Sequence, residues 1–493
     1  MNTIDQDTLR NVVENVLRKL NSNTAAPTPA PTPAPSPAAP TTTTKASGAR
    51  GKHGVFKEVS DAADAAHKAF LQLQELGVGG RRRVIEIVKN LCVSNAEAWG
   101  KFEMEETKIG RLDHKIAKLQ IVKDVPGVEW LRPDAMSGDG GITLEEFAPF
   151  GVIGAILPVT HSVPTLSGNV ISMVAAGNAV VFNPHPGGAK SAAMAVRAYN
   201  QAIEKELGID NLICTIEEPT IESFNEICKN GNIAIMAITG GPAVVDAAMK
   251  SGKRSICAGP GNPVVVVDET ANLDKAASCI IEGAAFDNNL LCIGEKAVFV
   301  VDQVFEPFMQ AMEKAGAVRL NTSQLEKLTQ VAFNIENGAG GCAQAALNRD
   351  LIGVDAAVLA GHAGLSVAKN TNLVFAETDA DHPYVQKEQM MPMLPIVRVP
   401  DFKTGVELAK QAEHGYRHSA VIHSRNVDNM THMAKTMDTT IFVKNGPSTA
   451  GLGLGGEGYL SYSIATSTGE GITTPKTFTR IRRCVMVENL RII

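Results

Sequence analysis

The 493-residue chain is poor in aromatic residues, at 5%, and has no apolar run approaching the ~18 residues that a membrane span needs. It has little excess charge: 46 Lys and Arg face 52 Asp and Glu, for a formal net charge of −6. That balance gives no attraction to nucleic acid or to an anionic membrane. The basic cluster Arg81–Arg83 is short and opens a helical pattern, so it reads as a solvated helix start. The N-terminus lacks an apolar core followed by a small-residue cleavage site, so a cytoplasmic rather than secreted protein is expected. The 8 cysteines form no CxxC pair and the 11 histidines no HExxH spacing. A disulfide framework, a structural zinc and other metal sites are therefore not expected.

What is there points to an α/β enzyme. Hydrophobic residues make up 44%, enough for a large core, and 44 glycines suit many tight strand–helix turns. The first segment stands apart. Ile4, Leu9, Val12, Val13, Val16, Leu17 and Leu20 fall on one face of a helical repeat, and Thr3 with Gln6 fits a capping box. A helix this short is marginal alone, so residues 1–20 need a partner for their apolar stripe. Prolines recur from Pro27 to Pro40 in the Pro/Thr/Ala-rich stretch that follows (21–47). They force an extended spacer of roughly 40 Å at ~3.1 Å per residue. A short amphipathic helix on a stiff arm reads as a docking tag.

From about Ala46 the pattern is globular. Residues 58–75, 80–92, 165–176, 189–204 and 242–251 read as helices, and 151–157, 179–182 and 233–238 as buried strands. Val264–Val267 begins a second alternating region that runs to about Lys444. Such alternation implies parallel, doubly wound sheets. The tail Thr477–Val487 alternates apolar and polar residues and reads as an antiparallel strand with one exposed face, placed to join a neighbouring subunit.

A free cysteine is more often a small buried hydrophobe than a nucleophile. Cys92, Cys228 and Cys279 sit in helical patterns and Cys214 and Cys484 in strand patterns, so all five are read as packing residues. Cys342, after Gly-Ala-Gly-Gly and before an expected helix, stays open, and Cys257 could face the nucleophile's cleft. Cys292 differs. It lies in FDNNLLCIGEK (286–296), where Asp-Asn-Asn leads into a turn and Gly294 follows. A thiolate that attacks a carbonyl must be exposed, with backbone N–H groups free for the oxyanion, and a loop offers both.

FDNNLLCIGEK, TGGPAVVDAA, GPGNPVVVVDETANL, EQMMPMLPIV, FVKNGPSTAGLGLGGEG and TRIRRCVMVENLRI together resemble the CoA-acylating aldehyde dehydrogenases, in the propionaldehyde/acetaldehyde branch of bacterial microcompartments. The resemblance spans roughly residues 50–493. It implies an α/β aldehyde dehydrogenase fold with a Rossmann-like NAD/CoA-binding domain (48–260, with 445–473 returning near it) and an α/β catalytic domain bearing Cys292 (261–444). A small antiparallel oligomerisation segment (138–150 and 474–493) completes it, in a dimer or tetramer. It also implies NAD as cofactor, coenzyme A as co-substrate and a short aldehyde as substrate, propionaldehyde before acetaldehyde or lactaldehyde. Residues 1–20 match tags that bind shell or core proteins in the compartment lumen.

The resemblance assigns Cys292 as nucleophile: it adds to the aldehyde, the adduct loses hydride to NAD to leave a thioester, and CoA takes the acyl group. Thr239, Gly240 and Gly241 match the turn at the cofactor pyrophosphate, where helix N–H groups approach phosphate. Glu388 matches the glutamate at the nicotinamide ribose. Pro184 and His185 match positions beside the adenosine, and Pro158 and Thr160 match cofactor contacts. His185 also reads simply as a strand-end turn residue. His161 stands where relatives mostly carry an oxyanion-donating asparagine. A ring N–H could serve, with Asn169 as the alternative and the Cys292 N–H as second donor. GLGLGGEG (451–458) satisfies GxGxxG, yet no helical pattern follows, so it reads as a close-packed loop near the active site. Hydrolytic relatives carry a glutamate that activates water. Here the matching stretch is Cys257-Ala-Gly-Pro-Gly-Asn-Pro, which favours acyl transfer to CoA over hydrolysis to the free acid.

Overall fold

A computed structural model describes residues 51–337 and 343–493, with 334–337 and 343–345 in backbone only. The expected tag at 1–20, the spacer at 21–47 and Cys342 lie outside those residues. The residue after Cys342 opens a strand, Ala343–Leu347, where a helix was expected.

Two parallel sheets carry the architecture. The first has six strands in the order Val55–Phe56, Ile213–Ile216, Ala179–Pro184, Val152–Leu157, Ile233–Thr239, Ser255–Ala258. The second has seven: Val318–Arg319, Val374–Thr378, Met393–Val399, Ala297–Val301, Val264–Val267, Ser419–His423, Ile441–Lys444. Strands such as Val152–Leu157 and Val264–Val267 are buried at every position, because helices cover both faces of a parallel sheet. These near-continuous apolar runs were therefore legible as strands.

In the first sheet the chain leaves Val152–Leu157 in one direction and later returns to its other side as Ile233–Thr239. That reversal opens a crevice at the C-terminal strand ends, the usual ligand position of such a sheet. The short connector Gly259–Pro263 then runs from the C-terminal end of Ser255–Ala258 to the N-terminal end of Val264–Val267. The C-terminal edge of one sheet is thereby joined to the N-terminal edge of the other.

The helices expected at 58–75 and 80–92 form the two arms of α1 (Val59–Ser94), broken between them at Gly77, whose φ of 61° suits glycine. Ala96–Thr107 (α2) and Leu112–Gln120 (α3) pack together next to it. Ser162–Ala175 (α4) begins three residues before the expected start. Its Val163 N–H is taken by the distant Glu103 carboxylate, a cap that no local motif announces. Pro242–Met249 (α5) follows the Thr239–Gly241 turn.

The tail forms Thr479–Val487, antiparallel to Gly141–Pro149, which also pairs with Asp134–Gly138. It was expected to expose one face, but both faces are open beyond Thr479, with Ile481, Val485 and Val487 each more than half exposed. Cys484 is correspondingly exposed, not the buried packing residue its pattern suggested.

Candidate active site

Asp287, Asn288 and Asn289 all adopt the left-handed conformation, with φ of 50°, 53° and 66°. Asp and Asn are the non-glycine residues that tolerate this region best, so the DNN triplet is the chemistry that this turn requires. Each side chain is buried and holds a separate anchor. Asp287 accepts from the Arg111 N–H at 2.8 Å and the Lys118 ammonium at 2.5 Å. Asn288 donates to the Gly353 carbonyl and the Asp355 carboxylate, both at 2.9 Å. Asn289 donates to the carbonyls of Ala284 and Glu295. Phe286 stacks on His114, whose Nδ1 accepts from the Asp287 N–H. The chain thus enters the Cys292 turn along a fixed path.

Cys292 sits half-buried just before the strand Ala297–Val301. Because neighbouring strands are parallel, the residues preceding them gather at the same sheet edge: Gly261, Glu388 and His418. A Cβ at Gly261 would stand 2.8 Å from both the Cys292 carbonyl oxygen and the His418 ring. The stretch expected to lack a base thus presses on the nucleophile with no side chain at its point of contact. Burial, then the Glu388 charge, pushes the Cys292 thiol up to about 12, with Lys296 pulling the other way. Burial raises Glu388 to about 7 and lowers Lys296 to about 8. His418, lowered to about 4 by burial and then by Lys296, is neutral. Glu295, also raised to about 7 by burial, accepts from the Ser448 N–H at 2.8 Å and its hydroxyl at 2.9 Å. Through Ser448 the start of the 451–458 loop is tied to the nucleophile turn. That loop is followed by no helix, but Gly455–Gly458 are exposed rather than close-packed.

A buried charge network runs under this turn. Glu103 and Lys115 pair at 3.2 Å, both 1% exposed, and the second Glu103 oxygen holds the Val163 N–H. Lys118 reaches Asp287 on one side and the Thr160 carbonyl at 3.4 Å on the other. Burial works to raise Asp287, but Lys118 and then Lys115 hold it below the usual carboxylate range. His161, between Thr160 and α4, is lowered to about 3 by burial and then by Lys118, so its ring is neutral. Its Nε2 lies 3.2 Å from the Thr160 hydroxyl while its buried Nδ1 has no partner among the described residues. If Nε2 accepts, Nδ1 carries a proton that it can donate. The Asn169 side-chain oxygen is engaged by Ser463.

The remaining expected residues line the C-terminal edge of the six-stranded sheet. Pro158 and Thr160 follow Val152–Leu157, Pro184 and His185 end Ala179–Pro184, and Thr239 ends Ile233–Thr239. His185 Nδ1 accepts the Gly187 N–H, so the turn role is real whatever else the ring contacts. Gly240 and Gly241 face open space: a Cβ on Gly241 would meet nothing within 4 Å. They precede the α5 N-terminus, where Val244 and Val245 already donate to the Gly241 carbonyl and Pro242 has no N–H, so the Gly241 and Ala243 N–H groups are those that could meet a pyrophosphate, and the residues present fit a dinucleotide.

Cys92, Cys214, Cys228, Cys257 and Cys279 are buried. Cys257 is fully buried where Cys292 is half-buried, so it offers no second accessible thiol. Sequence reading missed Lys118, Glu295, Lys296 and His418. Lys115 and Lys118 lie on one helical face with Leu119, which was the available signal. A 690 Å³ cavity lined by Thr329, Thr378, His382 and Arg398, among others, shares no residue with the Cys292 cluster. Chemistry, not cavity size, locates the site. His53, Glu204 and Asp210 bring ligand atoms within 4.8 Å of one another. No spacing motif announces that trio, and His53 already faces Glu204 at 3.4 Å as in an ion pair.

Comparison with known proteins agrees with this geometry. The model of the aldehyde dehydrogenase family matches residues 36–459. The acetaldehyde dehydrogenase (acetylating) EutE of Salmonella typhimurium is 45% identical over 89% of this chain and 94% of its own. The Rhodopseudomonas palustris propionaldehyde dehydrogenase with bound propionyl-CoA is 41% identical, with a TM-score of 0.85 over 88% of this chain and 96% of its own. A propionaldehyde dehydrogenase from the Clostridium phytofermentans fucose utilisation bacterial microcompartment is 43% identical, with a TM-score of 0.85 over 89% of this chain and 100% of its own. The chain belongs to the aldehyde dehydrogenase family, in its CoA-acylating branch.

Proposed function

We propose that the protein oxidises a short-chain aldehyde, propionaldehyde first, to its acyl-CoA through a thioester on Cys292, with NAD as oxidant. The observation that carries the choice of acceptor is the contact at Gly261. The stretch in which hydrolytic relatives keep their water-activating glutamate is here a glycine-rich connector packed on Cys292.

The residues act as follows. Cys292 Sγ adds to the aldehyde carbon once its thiol has lost its proton, and the Cys292 N–H and His161 Nδ1 are the donors offered to the resulting oxyanion. When bound, the nicotinamide supplies the hydride acceptor that leaves a thioester behind. Thr239, Gly240 and Gly241 would hold the pyrophosphate, Glu388 the nicotinamide ribose, and Pro158, Thr160, Pro184 and His185 the remainder of the dinucleotide. The CoA thiol then displaces Cys292 and frees the acyl-CoA. A thiol ionises enough near neutral pH to attack without a dedicated base, whereas water does not.

The finer reading of the molecule's surroundings follows from its ends. The open faces of Thr479–Val487 suit a homo-oligomer, dimer or tetramer. Residues 1–20 suit a shell or core protein of a bacterial microcompartment, the setting of the Clostridium relative. No helix among the described residues is long and apolar enough to cross a membrane.

The test is to follow NADH with propionaldehyde and NAD, with and without CoA. Sustained turnover is expected only with CoA. Sustained turnover without it would assign a hydrolytic enzyme, and none in either case would remove the activity. Acetaldehyde and lactaldehyde, run in parallel, rank the substrates.

A further inference from the structure

Lys296 is 0% exposed, yet no carboxylate among the described residues is hydrogen-bonded to its ammonium. The group turns back over the preceding turn and donates to two backbone carbonyls, Asn289 and Leu291, each at 2.9 Å. Its own backbone is fixed from both flanking strands. The Lys296 N–H donates to the Pro263 carbonyl at 2.8 Å, and the Gln389 side chain donates to the Lys296 carbonyl at 3.2 Å. A buried cation costs several kcal/mol to desolvate, so its position needs a reason beyond packing.

The reason lies in the Leu291–Cys292 peptide. The Leu291 oxygen accepts from Lys296 and also from the Gly294 N–H at 3.0 Å, so both of its lone pairs are engaged on one side. A trans peptide points its N–H opposite to its C=O. Fixing the Leu291 carbonyl toward Lys296 therefore turns the Cys292 N–H away from it, free of that turn's own hydrogen bonds. The charge acts in the same direction. Glu388, Glu295, Cys292 and His418 are the titratable groups around the ammonium, and Glu388 opposes a thiolate where Lys296 favours one.

We propose that Lys296 is a positioning residue for acyl transfer: it orients the Leu291–Cys292 peptide so that the Cys292 N–H serves the oxyanion, and it supplies the positive charge that stabilises the thiolate. The proposal rests on Cys292 being the nucleophile.

Two readouts test it in the full-length enzyme. The first is the rate of iodoacetamide alkylation at Cys292 from pH 6 to 8, read on its peptide by mass spectrometry, which needs no substrate. The second is the single-turnover rate of NADH formation. Lys296→Met should slow that alkylation about tenfold at neutral pH, where Lys296 is charged and Cys292 is mostly thiol. It should slow NADH formation ~10²–10³-fold, with the aldehyde KM changed less than about threefold. Lys296→Gln keeps a donor without the charge and should fall between Met and wild type, while Lys296→Arg should restore the alkylation profile. A folded Lys296→Met with a wild-type profile and rate overturns the proposal. If Met does not fold, equal losses in Gln and Arg overturn it, and a larger loss in Gln supports it. A wild-type enzyme that forms no NADH would sink the proposed function instead, and the alkylation profile would still report on Lys296.

Discussion

The Cys292 turn and the Thr239–Gly241 turn both stand at edges of parallel sheets, yet they are built in opposite ways. The first is held by its own buried side chains bonded to distant parts of the chain: the Lys118 ammonium, the Arg111 and Ser448 N–H groups and the Gly353 carbonyl. The second has glycines facing open space and one side-chain bond, from Thr239 to Ser463 at 2.9 Å. The difference follows from the two tasks. A nucleophile and its oxyanion donors must be held within about half an ångström of the reacting geometry before substrate arrives. A phosphate site needs only exposed N–H groups and room, because the ligand itself supplies the missing bonds.

The contrast can be broken most forcefully at Lys118. Lys118→Met strands Asp287 as an unpaired buried charge under the nucleophile turn. It should cost about 3–5 kcal/mol in urea unfolding. A change below about 1 kcal/mol would show that the network does not hold the turn. Next in size is Gly261→Ala, which puts a methyl 2.8 Å from the Cys292 carbonyl and the His418 ring. It should lower kcat/KM ~10²-fold, since small misplacements at the reacting centre cost that much. Gly241→Ala is the matching change in the open turn. Its φ of −68° and empty surroundings predict stability within about 0.5 kcal/mol of wild type. The KM for NAD should nevertheless rise roughly tenfold, because the methyl occupies the phosphate approach. An unchanged KM would remove the turn from the cofactor site.

Glu388 makes the contrast depend on pH. Burial raises its carboxyl from 4.5 to about 7, so the folded protein holds a proton there that the unfolded chain releases. That contribution to stability is full below 4.5 and is lost as pH rises through about 7. Glu388→Gln cannot ionise. Its melting temperature should exceed the wild-type value above pH 7 and converge with it at acid pH. A gap independent of pH would mean that Glu388 is not buried as a titrating group. The connector offers no base, but the Glu388 carboxyl, just before the strand Met393–Val399, does act on Cys292.

How much was legible follows the same division. Strands such as Val264–Val267 announce themselves because burial on both faces demands unbroken apolar runs. Cys292 was separable from the other cysteines because DNN and glycine mark a turn in the local sequence. Lys118 and Asp287 were not legible as a pair, since 169 residues separate them and only the packing of α3 on the turn joins them. The early start of α4 was hidden for the same reason, its cap coming from Glu103 some 60 residues away. Cys484 was misread because a strand pattern does not say whether a second layer covers it.

The central claim is that Cys292 holds an acyl group until CoA removes it. Enzyme mixed with propionaldehyde and NAD in the absence of CoA should gain one propionyl group, located by peptide mass spectrometry on 286–296. The adduct should be absent in Cys292→Ala and discharged on addition of CoA. An adduct on another residue, or one that water clears as fast as CoA does, would contradict the account.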